Sequence, residues 1–232
     1  MTRSDIITAT KANRLYWLGR YEMRVYLTLH QYSKCYDLMI DGSPEEYKAF
    51  WQKLDVAGAY KTTPEFIVGM LYDESNPSTV ISAQRFAMDN AMMLREDIMS
   101  ETLSYLEISM ALLKKLKATS TTIISELQPV IDWSMAFWGS AEHRVNNPKA
   151  LSLMMIGRSV EFLDMLLRFS YPYSRVAPAY EKLKRHCDEM SSMLDDNISA
   201  QLDALITEDN YDPDDDAYMS KLMKYLNQLV RV

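Results

Sequence analysis

Three groups of residues along this chain have types and spacing suited to chemistry. The first is Asn13, Arg14, Trp17, Arg20, Glu22 and Arg24. The second is Asn76, Pro77, Ser78, Arg85, Asn90, Arg95, Glu96 and Glu101. The third is Arg158, Glu161, Asp164 and Arg168. Arginine beside glutamate recurs in all three. A guanidinium presents a planar fork of donors that matches a carboxylate bidentately. Such residues have three uses: pairing with each other to fix helix register, holding a carboxylate-bearing ligand or a partner, or catalysis. Glu22 falls on an otherwise apolar stripe, where a carboxylate without a partner is expensive to bury. All three uses stay open at this point.

Other chemistries are missing from the sequence. No Glu-x-x-His, His-Glu-x-x-His or Cys-x-x-Cys occurs, so neither a carboxylate-bridged di-iron site nor a zinc site is encoded in its usual form. There is no Gly-rich phosphate loop and no Gly-x-Ser-x-Gly turn. The acids at Asp212, Asp214 and Asp216 alternate as in a calcium loop, but Ala217 and Met223 stand at the Gly and Glu positions such a loop needs. They read as an acidic start to the last helix. His30, His143 and His186 are scattered. The sequence therefore implies no cofactor and no metal. A formal charge of -7 argues against nucleic acid and anionic membrane surfaces as partners. The start of the chain lacks an apolar signal region, and Cys35 and Cys187 make no disulfide framework, so a cytoplasmic location with reduced thiols is expected.

The elements that must position these residues are helices. The chain of 232 residues holds only 6 Gly and 8 Pro against 17 Met, a composition that favours helix over sheet. Apolar residues at Leu15, Leu18, Val25, Leu29, Tyr32 and Tyr36 step by three and four, which predicts a first helix from Ser4 or Asp5 to the stop at Asp41-Gly42-Ser43-Pro44. Short helices are expected over 44–56 and 63–72. Asn76-Pro77-Ser78 opens a long one running uninterrupted to Lys117. Further helices are expected over 121–138, with Gly139 as the stop, then 148–170, 178–206 and about 210–230. The expectation is one domain over 1–232, an all-α bundle of six or more helices with an internal pseudo-repeat.

That repeat is visible as Leu18-Gly19-Arg20-Tyr21 and Ile156-Gly157-Arg158-Ser159, superposed by a shift of 138 residues. Glycine inside a helix costs about 1 kcal/mol relative to alanine and is tolerated where two helices approach closely. The two glycine-bearing helices are therefore expected to pack on each other.

The run Ala12-Asn13-Arg14-Leu15-Tyr16-Trp17-Leu18-Gly19-Arg20-Tyr21 resembles the alpha-E family, a bacterial all-helical domain named for a Glu-Arg motif. Asn76-Pro77-Ser78-Thr79-Val80-Ile81 with Arg85, Asn90, Leu94-Arg95-Glu96 and Glu101 supports it, as does the segment from Gly157-Arg158 to Arg168. The resemblance implies a partner, because members are commonly encoded beside or fused to circularly permuted ATP-grasp proteins and transglutaminase-like proteins. An accessory role in peptide ligation or modification follows, with a partner- or peptide-binding bundle as the expected form. An enzyme that binds a carboxylate-bearing substrate and a dimerising scaffold are the alternatives, and a homo-oligomer is compatible with either. Here the motif is divided. Its first copy has Met23 in the Glu place and keeps Arg24, while the second keeps Glu161 and has Phe162 in the Arg place. If the two helices pair, Arg24 and Glu161 are expected to meet.

Overall fold

The computed structural model describes residues 7–41, 46–54 and 60–231. Among them are eleven α-helices, one 3-10 segment and no strand beyond an isolated bridge between Leu194 and Val230. The fold is all-α, as the periodicity predicts. No described helix is long and apolar enough to cross a membrane. Cys35 and Cys187 are both free and buried.

Helix α1 runs over Ala9–Asp41. It starts later than expected, because Thr8 takes the capping role: its hydroxyl accepts from Lys11 N at 3.3 Å. Ser4, Asp5 and the stop at residues 42–45 lie outside the described residues. The chain divides into two compact units, 1–20 with 146–232 and 21–145, so α1 contributes to both.

The second unit contains the rest of α1, then α2 (Glu46–Lys53), α3 (Thr63–Tyr72), α4 (Val80–Met93), α5 (Arg95–Ile98), α6 (Ser100–Ala118) and α7 (Ile124–Arg144). Val25, Leu29, Tyr32, Leu71, Val80, Ala83, Leu113, Leu127 and Val130 form its core, drawn from α1, α3, α4, α6 and α7. Thr79 caps α4, and its hydroxyl also donates to Asp73 O at 2.8 Å. The helix expected to run unbroken to Lys117 is instead three pieces. Leu94 N turns back to Ala91 O at 3.0 Å, and Met99 adopts φ 68, a left-handed value that costs a non-glycine residue about 1–2 kcal/mol. No Gly or Pro marks this break. Conversely, α7 passes straight through Gly139 to Arg144, because the position is open and imposes nothing on its backbone.

The first unit contains the start of α1, α8 (Pro148–Arg168), α9 (Tyr173–Cys187), the 3-10 segment Asp188–Met193, α10 (Asp196–Leu205) and α11 (Asp216–Gln228). The single helix expected over 178–206 is therefore divided at 188–195 and begins earlier. Asn147 caps α8, accepting from Lys149 N and Ala150 N, with Pro148 in the first turn as the sequence predicts. Asp195 and Asp215 cap α10 and α11 in the same way.

The close approach of α1 and α8 is made at the two glycines. A Cβ on Gly19 would lie 2.1 Å from Met154 O, and one on Gly157 would lie 2.1 Å from Tyr16 O. Next in range are Arg158 N and Arg20 N, each at 3.1 Å. The contacted residues differ by the same 138 as the glycines, so the crossing is reciprocal.

Candidate functional site

The crossing at Gly19 and Gly157 sets Arg20 and Glu161 against each other. Arg20 is 3% exposed and Glu161 2%. Arg20 Nε donates to Glu161 Oε2 at 2.7 Å, a charge-assisted bond inside the first unit. A second guanidinium nitrogen, Nη1, donates to Asn227 Oδ1 at 2.6 Å. Asn227 Nδ2 donates to Asp164 Oδ1 at 3.2 Å, and Arg168 Nε donates to the other oxygen of Asp164 at 2.5 Å. Asp164 is 2% exposed. Two cations and two anions are thus woven together from α1, α8 and α11.

The aromatic residues before Arg20 complete the surroundings. Its Cζ lies 5.2 Å from the Trp17 ring centroid and 6.0 Å from that of Tyr16. Burial opposes the Arg20 charge, but Glu161, Tyr16 and Asp164 outweigh it and hold the guanidinium more firmly protonated than in water. Burial likewise pushes the Tyr16 hydroxyl up, with Arg20 pulling against it.

Glu161 therefore takes Arg20, not the expected Arg24. The register of the crossing decides this, because Gly19 brings its immediate neighbour to α8. Arg24 lies one turn further on, in the second unit, with its Cζ 5.6 Å from the Tyr21 ring centroid. Arg158 stands half-buried on α8 beside Gly157, and Asn13 and Arg14 are half-buried on α1.

Glu22 occupies a different environment in the second unit. It is 1% exposed, and its Oε2 has no hydrogen-bond partner among the described residues. Burial pushes the carboxyl up to about 7, against a smaller pull from the Ser134 hydroxyl. That hydroxyl is near but completes no hydrogen bond of its own. Glu22 is thus a neutral carboxylic acid under mildly acidic conditions.

The second group of residues does not converge on one point. Arg85 stacks its guanidinium over Phe86 at 5.1 Å, with its buried Nε lacking an acceptor among the described residues. Asn90 Nδ2 donates to Phe86 O on its own helix at 3.1 Å. Arg95 and Glu96 are exposed on α5. Glu101 is exposed at the start of α6, 3.6 Å from Arg144. Immediately before α5, Met92 and Met93 are 58% and 66% exposed.

Sequence reasoning missed Asn227, whose partners lie far away along the chain. It also missed Ser134. Neither residue carries a local signal, since one polar side chain on an amphipathic helix is ordinary. Among the described residues, no group of three His, Cys, Asp or Glu side chains is placed to hold a metal ion.

These arginine-glutamate elements on an all-helical frame define the class of protein. The family model for Alpha-E, a predicted alpha-helical domain with a conserved ER motif, matches residues 8–205, and the chain belongs to that family. No curated protein and no solved structure matches it.

Proposed function

We propose that this protein is an accessory helical subunit of an ATP-grasp-linked peptide ligation or modification system, cytoplasmic, and that it binds a partner or peptide. The family resemblance supplies the system. The observation that carries the binding role is the α4–α5 corner, where exposed Met92 and Met93 lead directly into exposed Arg95 and Glu96. Methionine is an adaptable contact residue at surfaces that receive other chains, and a rim of mixed charge gives register to such contacts. The Arg20–Glu161 pair supports a structural use of the motif, because Arg20 Nε and Glu161 Oε2 are bonded to each other inside the unit. The reciprocal glycine contacts support reading the two Gly-Arg segments as an internal repeat.

The test is co-expression with a circularly permuted ATP-grasp protein of the kind commonly encoded beside members of the family, followed by affinity capture and light scattering. Capture of the wild type and its loss in the double variant Met92→Glu, Met93→Glu supports the reading. No capture of the wild type, or equal capture of both, contradicts it. The same exposed methionines favour one second reading, a homodimerising scaffold. In that case light scattering gives a dimer that the double variant converts to monomer without any partner present.

A further inference from the structure

Asn227 is exposed, yet its carboxamide is held by two buried charges. Its Oδ1 accepts from Arg20 Nη1 at 2.6 Å, and its Nδ2 donates to Asp164 Oδ1 at 3.2 Å. That amide also donates to Met223 O, one turn back on α11, at 2.8 Å. Arg20 and Asp164 are themselves fixed from behind. Glu161 occupies Arg20 Nε, and Arg168 occupies Asp164 Oδ2. Arg20 Nη1 and Asp164 Oδ1 are therefore the donor and the acceptor that meet the Asn227 amide.

Few chemical groups satisfy that pair. A carboxylate accepts from Arg20 but meets the negative charge of Asp164. An ammonium donates to Asp164 but meets the Arg20 guanidinium. A group carrying an acceptor and a donor on neighbouring atoms satisfies both, and a primary carboxamide is the simplest. A buried donor and acceptor left unfilled each carry a desolvation cost, so the place rewards occupation.

The present occupant arrives from the end of the chain. Helix α11 lies beyond the 8–205 segment matched by the family model. It is joined to α10 by residues 206–215 and rests on three buried apolar side chains, Met219, Leu222 and Leu226. Its far end is held by Arg231, which bonds Asp195 at 2.6 Å, and by the bridge of Val230 to Leu194. Asp195 N also bonds Leu229 O at 2.9 Å, Arg231 N bonds Met193 O at 2.8 Å and Tyr218 Oη donates to Leu205 O at 2.6 Å, so withdrawal of α11 is a local opening that breaks this defined set of contacts.

We propose that Arg20 and Asp164 form a carboxamide-recognition site, filled in cis by Asn227, which accepts the primary amide of an external ligand when α11 withdraws. The class of ligand is an Asn or Gln side chain or a terminal amide of a peptide. The site lies in the first unit and stands independently of the docking face proposed on α4 and α5. Asn227 acts as a tethered competitor, at an effective concentration of about millimolar or higher.

The experiment uses the full chain with Asn227→Ala. The Nε–Hε resonance of Arg20 in the 15N-labelled protein is followed during titration with acetamide, acetate and N,N-dimethylacetamide. Acetamide is expected to give a saturable shift in the variant. Acetate lacks the donor and dimethylacetamide lacks the N–H, so both are expected to respond at least about 10-fold more weakly. The wild type is expected to need at least about 10-fold more acetamide than the variant. Equal responses to the three probes, no saturable response to acetamide, or identical titrations of variant and wild type overturn the proposal. Asn227→Ser, taken through the same titrations, serves where Asn227→Ala does not fold. If neither variant folds, Asn227 is a structural closure and the proposal fails.

Discussion

Gly19 and Gly157 are the two reciprocal points at which α1 and α8 come too close for a Cβ. A Cβ on either would meet a backbone carbonyl oxygen of the opposite helix at 2.1 Å, Met154 O in one case and Tyr16 O in the other. By geometry each glycine Cα then lies within roughly 3.6 Å of that oxygen, the range of a Cα–H···O contact. Side chains that normally space two helices are absent at this point.

Alanine at either position is expected to destabilise. The helix-propensity gain of about 1 kcal/mol is outweighed by overpacking against rigid backbone, which costs about 1–3 kcal/mol or more. Gly139 supplies the control, because a Cβ there meets nothing within 4 Å. Gly139→Ala should stabilise by about 1 kcal/mol. Denaturant unfolding of the three variants checks the contrast, and a loss at Gly139 equal to that at Gly19 would contradict it.

Glu22 predicts a pH dependence whose sign follows from burial. Its carboxyl is raised from 4.5 to about 7 in the folded protein. The stabilisation from its retained proton is full below pH 4.5 and is lost progressively as pH rises through about 7. The loss is on the order of 3 kcal/mol. Glu22→Gln should flatten the pH profile of unfolding free energy over this window and be the more stable protein at pH 8. A variant profile parallel to the wild type contradicts this.

Helices α6 and α8 end alike, in the left-handed turn that usually takes glycine. Ser120 at φ 50 and Ser170 at φ 51 fill that place. Thr121 N bonds Leu116 O, and Tyr171 N bonds Leu166 O, each at 3.0 Å, closing the same six-residue loop. Ser120→Gly and Ser170→Gly should each stabilise by roughly 0.5–1 kcal/mol, since the left-handed penalty is relieved. Thermal unfolding is the check, and destabilisation by either variant would show that the serine side chain contributes more than its backbone costs.

Much of this fold is legible in the sequence for a physical reason: apolar spacing and capping residues are local. Thr62 and Asn147 cap where short-range chemistry says a helix should start, while α11 begins at Asp216 behind its Asp215 cap, not near Asn210 as expected. Met99 is not legible, because its positive-φ backbone occurs without the glycine that usually marks one. Gly139 misleads for the opposite reason, being a glycine with no conformational task. The packing of α1 on α8 is readable from the 138-residue shift, but its register is not, so Glu161 meets Arg20 one turn before the expected Arg24. Asn227 bonds Arg20 across 207 residues, and no local pattern encodes such a contact.

The central claim is that the Arg20–Glu161 pair is a structural bond closing α1 onto α8. A double-mutant cycle with Arg20→Leu and Glu161→Leu, read by denaturant unfolding, tests it most directly. Each single variant leaves one buried charge unmatched and should cost about 3–5 kcal/mol. The double variant removes both charges and should recover a large part of that loss, giving a coupling energy of about 2 kcal/mol or more. Losses that simply add, with coupling near zero, would contradict the account and show that the two residues serve the protein separately.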